Sequence, residues 1–96
     1  MKPLFVEFRA SEEIHEISTY YEEQREGLGI EFQIALKSAF LRICRSPDAF
    51  RFNDITKTRM YQLKRFPHIV HYQQLEASIA VVAVAHPKRC PGYWMK

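Results

Sequence analysis

The sequence predicts an α+β domain in the order β-α-α-β-β-β, with a helical hairpin packed on one face of a largely antiparallel, curved sheet. Three observations predict it. Apolar residues recur at helical spacing through the first half. Gly27-Leu28-Gly29 cuts that half into two helices. The second half reads as short strands separated by turn signals.

The elements follow in order. Leu4, Val6 and Phe8 alternate with Phe5, Glu7 and Arg9, which predicts a half-buried strand. Ser11 reads as the N-cap of the first helix, with Glu12 and Glu13 in its first turn, where the helix dipole favours acids. Ile14, Ile17 and Tyr21 form the apolar stripe, and Tyr20 and Tyr21 read as core. The acids Glu12, Glu13, Glu16, Glu22, Glu23 and Glu26 read as a solvated face. In the second helix Phe32, Leu36, Phe40 and Ile43 share a stripe with Ala35 and Ala39 beside it, and Ser46-Pro47 ends it. So short a break between helices predicts an antiparallel hairpin.

A short strand is expected near residues 50–52, then strands over 59–64 and 69–75 with a turn at Phe66-Pro67 between them. Glu76-Ala77 turns into Ile79-Ala80-Val81-Val82-Ala83-Val84-Ala85. A strand apolar on both faces is expected at the centre of its sheet. The helices should cover one face of that sheet and leave the other as an open groove.

Composition bounds the function. The chain has 96 residues, 47% of them hydrophobic and 26% charged, which fits one globular domain over residues 1–96. No apolar run approaches the roughly 20 residues of a membrane span. The start, Met1 to Glu7, has too short an apolar stretch for a signal peptide, so a cytoplasmic protein is expected, with no membrane partner. Cys44 and Cys90 lie far apart without metal-ligand spacing; Cys44 reads as a small core residue and Cys90 as part of a polar tail. No phosphate-binding glycine loop, zinc ligand set or Ser/His/Asp pattern is present, so neither metal nor cofactor is expected.

The net charge of +3 conceals an asymmetry. Residues 1–31 hold eight acids and three bases, whereas residues 32–96 hold three acids and eleven bases. A basic half points to a nucleic-acid or acidic-protein partner, or to a solvated mixed surface.

The tail after the last strand concentrates the chemistry: His86-Pro87-Lys88-Arg89-Cys90-Pro91-Gly92-Tyr93-Trp94. As function, Lys88 and Arg89 would neutralise phosphate or carboxylate, Tyr93 would stack or handle a proton, and His86 would act as acid or base. As structure, Tyr93 and Trp94 would fold back over a sheet edge, with Pro91-Gly92 as a turn and Trp94 as a packing anchor. Arg59, Lys64 and Arg65 are expected beside the tail as a phosphate-tracking patch, or else as cations guarding a strand edge. His68 and His71, three apart in a strand, fall on different faces and make a poor metal pair.

The pattern resembles the RelE/ParE toxins of bacterial type II toxin–antitoxin systems, often labelled plasmid stabilisation proteins. It is carried by Ala10-Ser11-Glu12-Glu13-Ile14-His15-Glu16-Ile17 with Tyr20-Tyr21, and by Gly27-Leu28-Gly29 before Phe32. It continues through Pro47, Leu63-Lys64-Arg65-Phe66-Pro67-His68-Ile69-Val70-His71-Tyr72, and Val82-Ala83-Val84-Ala85-His86 through Arg89 to Tyr93-Trp94. The resemblance covers the whole chain. It implies a toxin silenced in a hetero-oligomer by a cognate antitoxin, whose extended or helical segment wraps its surface.

The resemblance leaves the target open. RelE-like members are metal-independent mRNA interferases, RNA-binding nucleases that cut messenger RNA in the ribosome; ParE-like members poison DNA gyrase. The RelE-like nucleases use one strand arginine, a second arginine after the last strand and a later tyrosine. Arg89 and Tyr93 match the last two, with Lys88 and His86 beside them, but the strand arginine falls on Ile69. A non-toxic nucleic-acid-binding or interaction module on the same fold is the alternative.

Overall fold

The computed structural model describes residues 1–90 and 92–95. Pro91, read above as part of a turn, lies outside the described residues. The elements are β1 (Leu4–Val6), α1 (Phe8–Gln24), α2 (Leu28–Arg45), β2 (Arg51–Asn53), β3 (Thr58–Gln62), β4 (Ile69–Gln74), β5 (Ile79–Ala85) and a single 3-10 turn at Tyr93–Met95. The strands form one five-stranded sheet in the order β1-β5-β4-β3-β2. Every pairing is antiparallel except β1 with β5. The α+β architecture expected from the sequence is thus the one formed. Among the described residues no helix is long and apolar enough to cross a membrane.

Every residue of β5 is buried. It lies between β1 and β4, which is where a two-sided apolar strand belongs. Its inner face joins Ile79, Val81 and Val84 to Phe32, Leu36, Ile43, Val70 and Tyr72 under the helices. Fully burying one such side chain contributes roughly 1.5–3 kcal/mol. Pairing slips between His71 and Tyr72, which oppose Ala83 and Val81 respectively and leave Val82 as the extra residue of a bulge. Ala80, Val82 and Ala83 therefore form a separate apolar platform on the outer face, met by Tyr93 and Trp94.

The helical hairpin is closed by glycine. Gly27 has φ of 87°, a left-handed value that costs glycine little. Glu22 turns back to accept hydrogen bonds from the Gly27 and Gly29 amides at 2.9 and 3.0 Å. A Cβ on Gly29 would stand 2.6 Å from the Ser18 carbonyl oxygen, so this glycine is what lets the helices approach.

Three local expectations are corrected. The first helix begins at Phe8, not after Ser11; Glu7 occupies the N-cap position, and its carbonyl accepts from the Ser11 amide. Starting a turn earlier places Ala10 on the buried face, where it is fully enclosed. Phe8 accordingly leaves the strand alternation and is 78% exposed. Tyr20 is also exposed rather than core, because Ile14, Ile17 and Tyr21 already fill the inward stripe. Cys44 packs against the core as expected.

Candidate functional site

The tail leaves β5 and returns to its outer face. Trp94 lies against His71, with ring centroids 4.5 Å apart, and edge-on to Tyr93 at 5.2 Å. The guanidinium of Arg89 lies 3.9 Å from the centre of the Tyr93 ring, a cation–π contact. Arg89 and Tyr93, singled out separately from the sequence, are thus one unit. Trp94 packs as an anchor, over a sheet face rather than only an edge.

Glu13 locks that unit to the first helix. Because β1 is so short, its pairing with β5 stops at Val81, apart from the Glu7 amide bond to the Val81 carbonyl. The Val84 amide is left for a side chain, and Glu13 Oε1 accepts from it at 2.9 Å. The other carboxylate oxygen of Glu13 accepts from the Tyr93 hydroxyl. Burial, then the Glu13 hydrogen bond and charge, push the Tyr93 phenol far above its ordinary range, with Arg89 opposing in part. Tyr93 is held as a neutral donor.

Two clefts share Ala85, His86 and Arg89 as a common wall. The first, about 180 Å³, adds Glu13, Glu16, Ile17, His68 and Val84. The second, about 230 Å³, runs along the outer face past Arg51, Met60, Ile69 and His71 to Trp94. His86 is exposed, and its Nδ1 accepts from the Lys88 amide at 3.2 Å. Lys88 itself is exposed.

His68, just before β4, and His71, within it, face opposite ways. His68 packs between Tyr21, Phe32 and His86, and His71 under Trp94. Each has an Nδ1 that is buried without a hydrogen-bond partner. Burial lowers the His68 pKa, helped by His86, and lowers that of His71 to about 4. Both are neutral at pH 7. Among the described residues no group of three or more His, Cys, Asp or Glu side chains could hold a metal ion.

Arg59, Lys64 and Arg65 do not join the tail, contrary to expectation. Arg59 is the register partner of Tyr72, whose ring belongs to the helix-side core, so Arg59 points away from Trp94. Its guanidinium donates to the Phe50 carbonyl at 2.8 Å and lies 3.6 Å from Asp48. Lys64 and Arg65 follow β3 in a loop drawn onto α2, because the Phe66 ring packs inward against Phe32 and Tyr21. Arg65 there bridges to Glu31 at 2.7 Å, and Lys64 lies beside it. Hydrogen bonds from Arg65 and Arg25 hold the Glu31 carboxyl below its usual range.

Sequence reasoning missed Glu13 and Arg51. Glu13 was grouped with solvated acids, yet it follows Ala10 by three and precedes Ile17 by four, the spacing of the inward stripe. A carboxylate on that stripe was the available signal. Arg51 opposes Met60, and Met60 opposes His71, which puts all three on the outer face with Arg89. The short strand expected near residues 50–52 forms as β2, but its sequence does not show which face Arg51 takes.

The fold therefore defines a small α+β domain with a cation–aromatic corner at the end of its central strand. No family model matches the chain, and neither does any curated protein. Among solved structures it is similar to a chain of the chromosomal ParDE TA system from P. aeruginosa, with a TM-score of 0.66 and 13% identity. The match covers 90% of this chain and 96% of that one. At that identity the likeness is one of fold, and it bears out the RelE/ParE-like fold implied by the sequence resemblance.

Proposed function

We propose that this chain is the toxin of a type II toxin–antitoxin module, cytoplasmic, silenced by a cognate antitoxin and acting on its target by binding. The observation that carries the reading is the near full-length likeness of fold to a ParDE-system chain. The grouping of Arg89, Tyr93 and Trp94 at the rigid end of β5 supports it, because the resemblance expects its functional residues there.

The geometry favours binding over RNA cleavage. Attack of a ribose 2′-hydroxyl on the adjacent phosphate needs a proton acceptor; Tyr93 keeps its proton while donating to Glu13, which leaves His86, its Nδ1 already accepting from the Lys88 amide, as the remaining member of the expected set in the clefts. His71 is buried and too weakly basic to serve. Ile69 lines the second cleft where the nuclease resemblance expects an arginine. Glu13 and Glu16 beside Arg89 further disfavour a polyanion in the first cleft. Of the two targets, DNA gyrase fits this site better than ribosome-bound messenger RNA. Arg89, with Lys88 and Arg51, supplies cations for carboxylates or phosphates on the target.

Induced expression without an antitoxin tests this. Growth should arrest while total messenger RNA keeps its length distribution. Rapid ribosome-dependent cleavage would replace the binding reading with the nuclease. Normal growth with abundant folded protein would leave the non-toxic interaction module.

A further inference from the structure

A cleft of about 440 Å³ adjoins the first of the two at Arg89 and shares Glu16, Ile17, His68 and His86 with it. Arg89 is not among its walls, which Tyr20, Tyr21 and Pro67 complete. Four of these walls are rings that stand edge to face in succession. Tyr20 meets Tyr21 at 5.5 Å and 65°, Tyr21 meets His68 at 5.9 Å and 83°, and His68 meets His86 at 5.7 Å and 89°. We infer that this box of rings binds a small quaternary ammonium ion, held over the ring faces and balanced by the Glu16 carboxylate. The inference goes beyond the toxin reading and does not use Arg89, Tyr93 or Trp94, on which that reading depends.

Helix spacing and one strand register build the box. Glu16 precedes Tyr20 by four residues, as Ile17 precedes Tyr21, so each pair lies along one side of α1. Ile17 and Tyr21 pack on the core, and Tyr20 beside them is left 58% exposed. On the sheet side, the Phe66 ring turns inward against Tyr21 and brings Pro67 and His68 up to the helix. The His68 ring is fixed by its contacts with Tyr21 and Phe32. Ile69 opposes Ala85 across β4 and β5, so the residues just outside that pair, His68 and His86, come side by side.

The chemistry favours a cation that donates no hydrogen bonds. Aromatic faces are negative and attract a cation within about 6 Å of the ring centre. Burial, with His86 adding, keeps His68 neutral, so its ring does not repel one. No lysine or arginine lines the cleft. Glu16 makes no ion pair among the described residues, so its charge is not already offset. A primary ammonium needs an acceptor for each of its N–H donors, and the walls offer one carboxylate among ring faces. A trimethylammonium group needs none, and Ile17 and Pro67 give its methyl groups apolar contact. An anion would meet the Glu16 carboxylate with no cation to hold it.

The test titrates the whole chain with choline and with neohexanol, its uncharged carbon analogue of the same shape. It is run at about pH 8, where an ordinary imidazole carries no charge. Amide and ring NMR shifts read both affinity and place. Choline should shift Tyr20, Tyr21 and His68 saturably and bind roughly tenfold more tightly than neohexanol. Tyr20 is exposed, so Tyr20→Leu keeps the fold and the apolar bulk while removing a ring. It should weaken choline roughly fivefold and leave neohexanol unchanged, whereas Tyr20→Phe should hold choline within about twofold of wild type. Glu16→Gln should weaken choline alone. The inference is overturned if choline fails to bind, shifts other residues, or binds no better than neohexanol. It is equally overturned if Tyr20→Leu and Tyr20→Phe lose choline alike. Tighter binding of a peptide carrying one trimethyllysine than of choline would also overturn it, by making the cleft a protein-docking site.

Discussion

The carboxylate of Glu13 accepts the Tyr93 hydroxyl on one oxygen and the Val84 amide on the other. One side chain thereby joins the first helix, the unpaired edge of the central strand and the returning tail. The link exists because β1 stops pairing at Val81 and leaves Val84 for a side chain to satisfy.

Removing either partner should loosen the tail to different degrees. Tyr93→Phe deletes one hydrogen bond and should cost about 1 kcal/mol. Glu13→Ala also strands the Val84 amide and should cost about 2–3 kcal/mol. Trp94 is the sole tryptophan, so its emission reports the tail directly. Urea unfolding should give the order wild type, Tyr93→Phe, Glu13→Ala, with a red shift of native emission in the last. Equal stability of all three would remove the link.

The two glycines of the hairpin should respond oppositely in mechanism. Gly29→Ala forces a Cβ to within 2.6 Å of the Ser18 carbonyl and must push the helices apart. It should cost about 2–3 kcal/mol, as overpacking does. Gly27→Ala meets nothing within 4 Å and suffers only from its backbone, for about 1 kcal/mol. Thermal denaturation of the two variants checks the ranking.

Much of this fold was legible because its cues are local. The continuous apolar run fixed β5 as central, and the glycine pair fixed the hairpin. Tertiary choices were less legible. Ser11 has the chemistry of an N-cap, but burial of Ala10 decides where α1 starts. Arg59 and Arg65 lie close to the tail in the expected hairpin order, but side-chain alternation and the inward turn of Phe66 send both to the helix side. Glu13 was hidden for a related reason, since an acid in an early helical turn looks solvated until the strand edge beside it is known.

Acid should destabilise the chain through its buried imidazoles. His71 has its folded pKa depressed to about 4, below the ordinary value of 6.5, so the unfolded state binds protons first. Stability is complete above the unfolded value and falls as pH drops from about 6.5 towards 4, by on the order of 2 kcal/mol for this group. His68, also depressed, adds in the same direction. Chemical denaturation across that range should show the slope, and His71→Leu should reduce it. An unchanged slope would mean that His71 is protonated in the folded chain.

Arg89 should matter to function and little to folding. It is exposed, and its contact with Tyr93 contributes about 0.5–1 kcal/mol. Arg89→Ala should therefore unfold within about 1 kcal/mol of wild type while abolishing growth arrest. Retained toxicity in a folded Arg89→Ala protein would separate the corner from the activity.

The most direct measurement of the central claim is covalent gyrase–DNA complex formation with purified gyrase, plasmid and this chain. Wild type should trap cleaved DNA on gyrase, and Arg89→Ala at equal concentration should not. Absence of trapped complexes with wild type, together with messenger RNA cleavage on ribosomes in a parallel extract, would contradict the account.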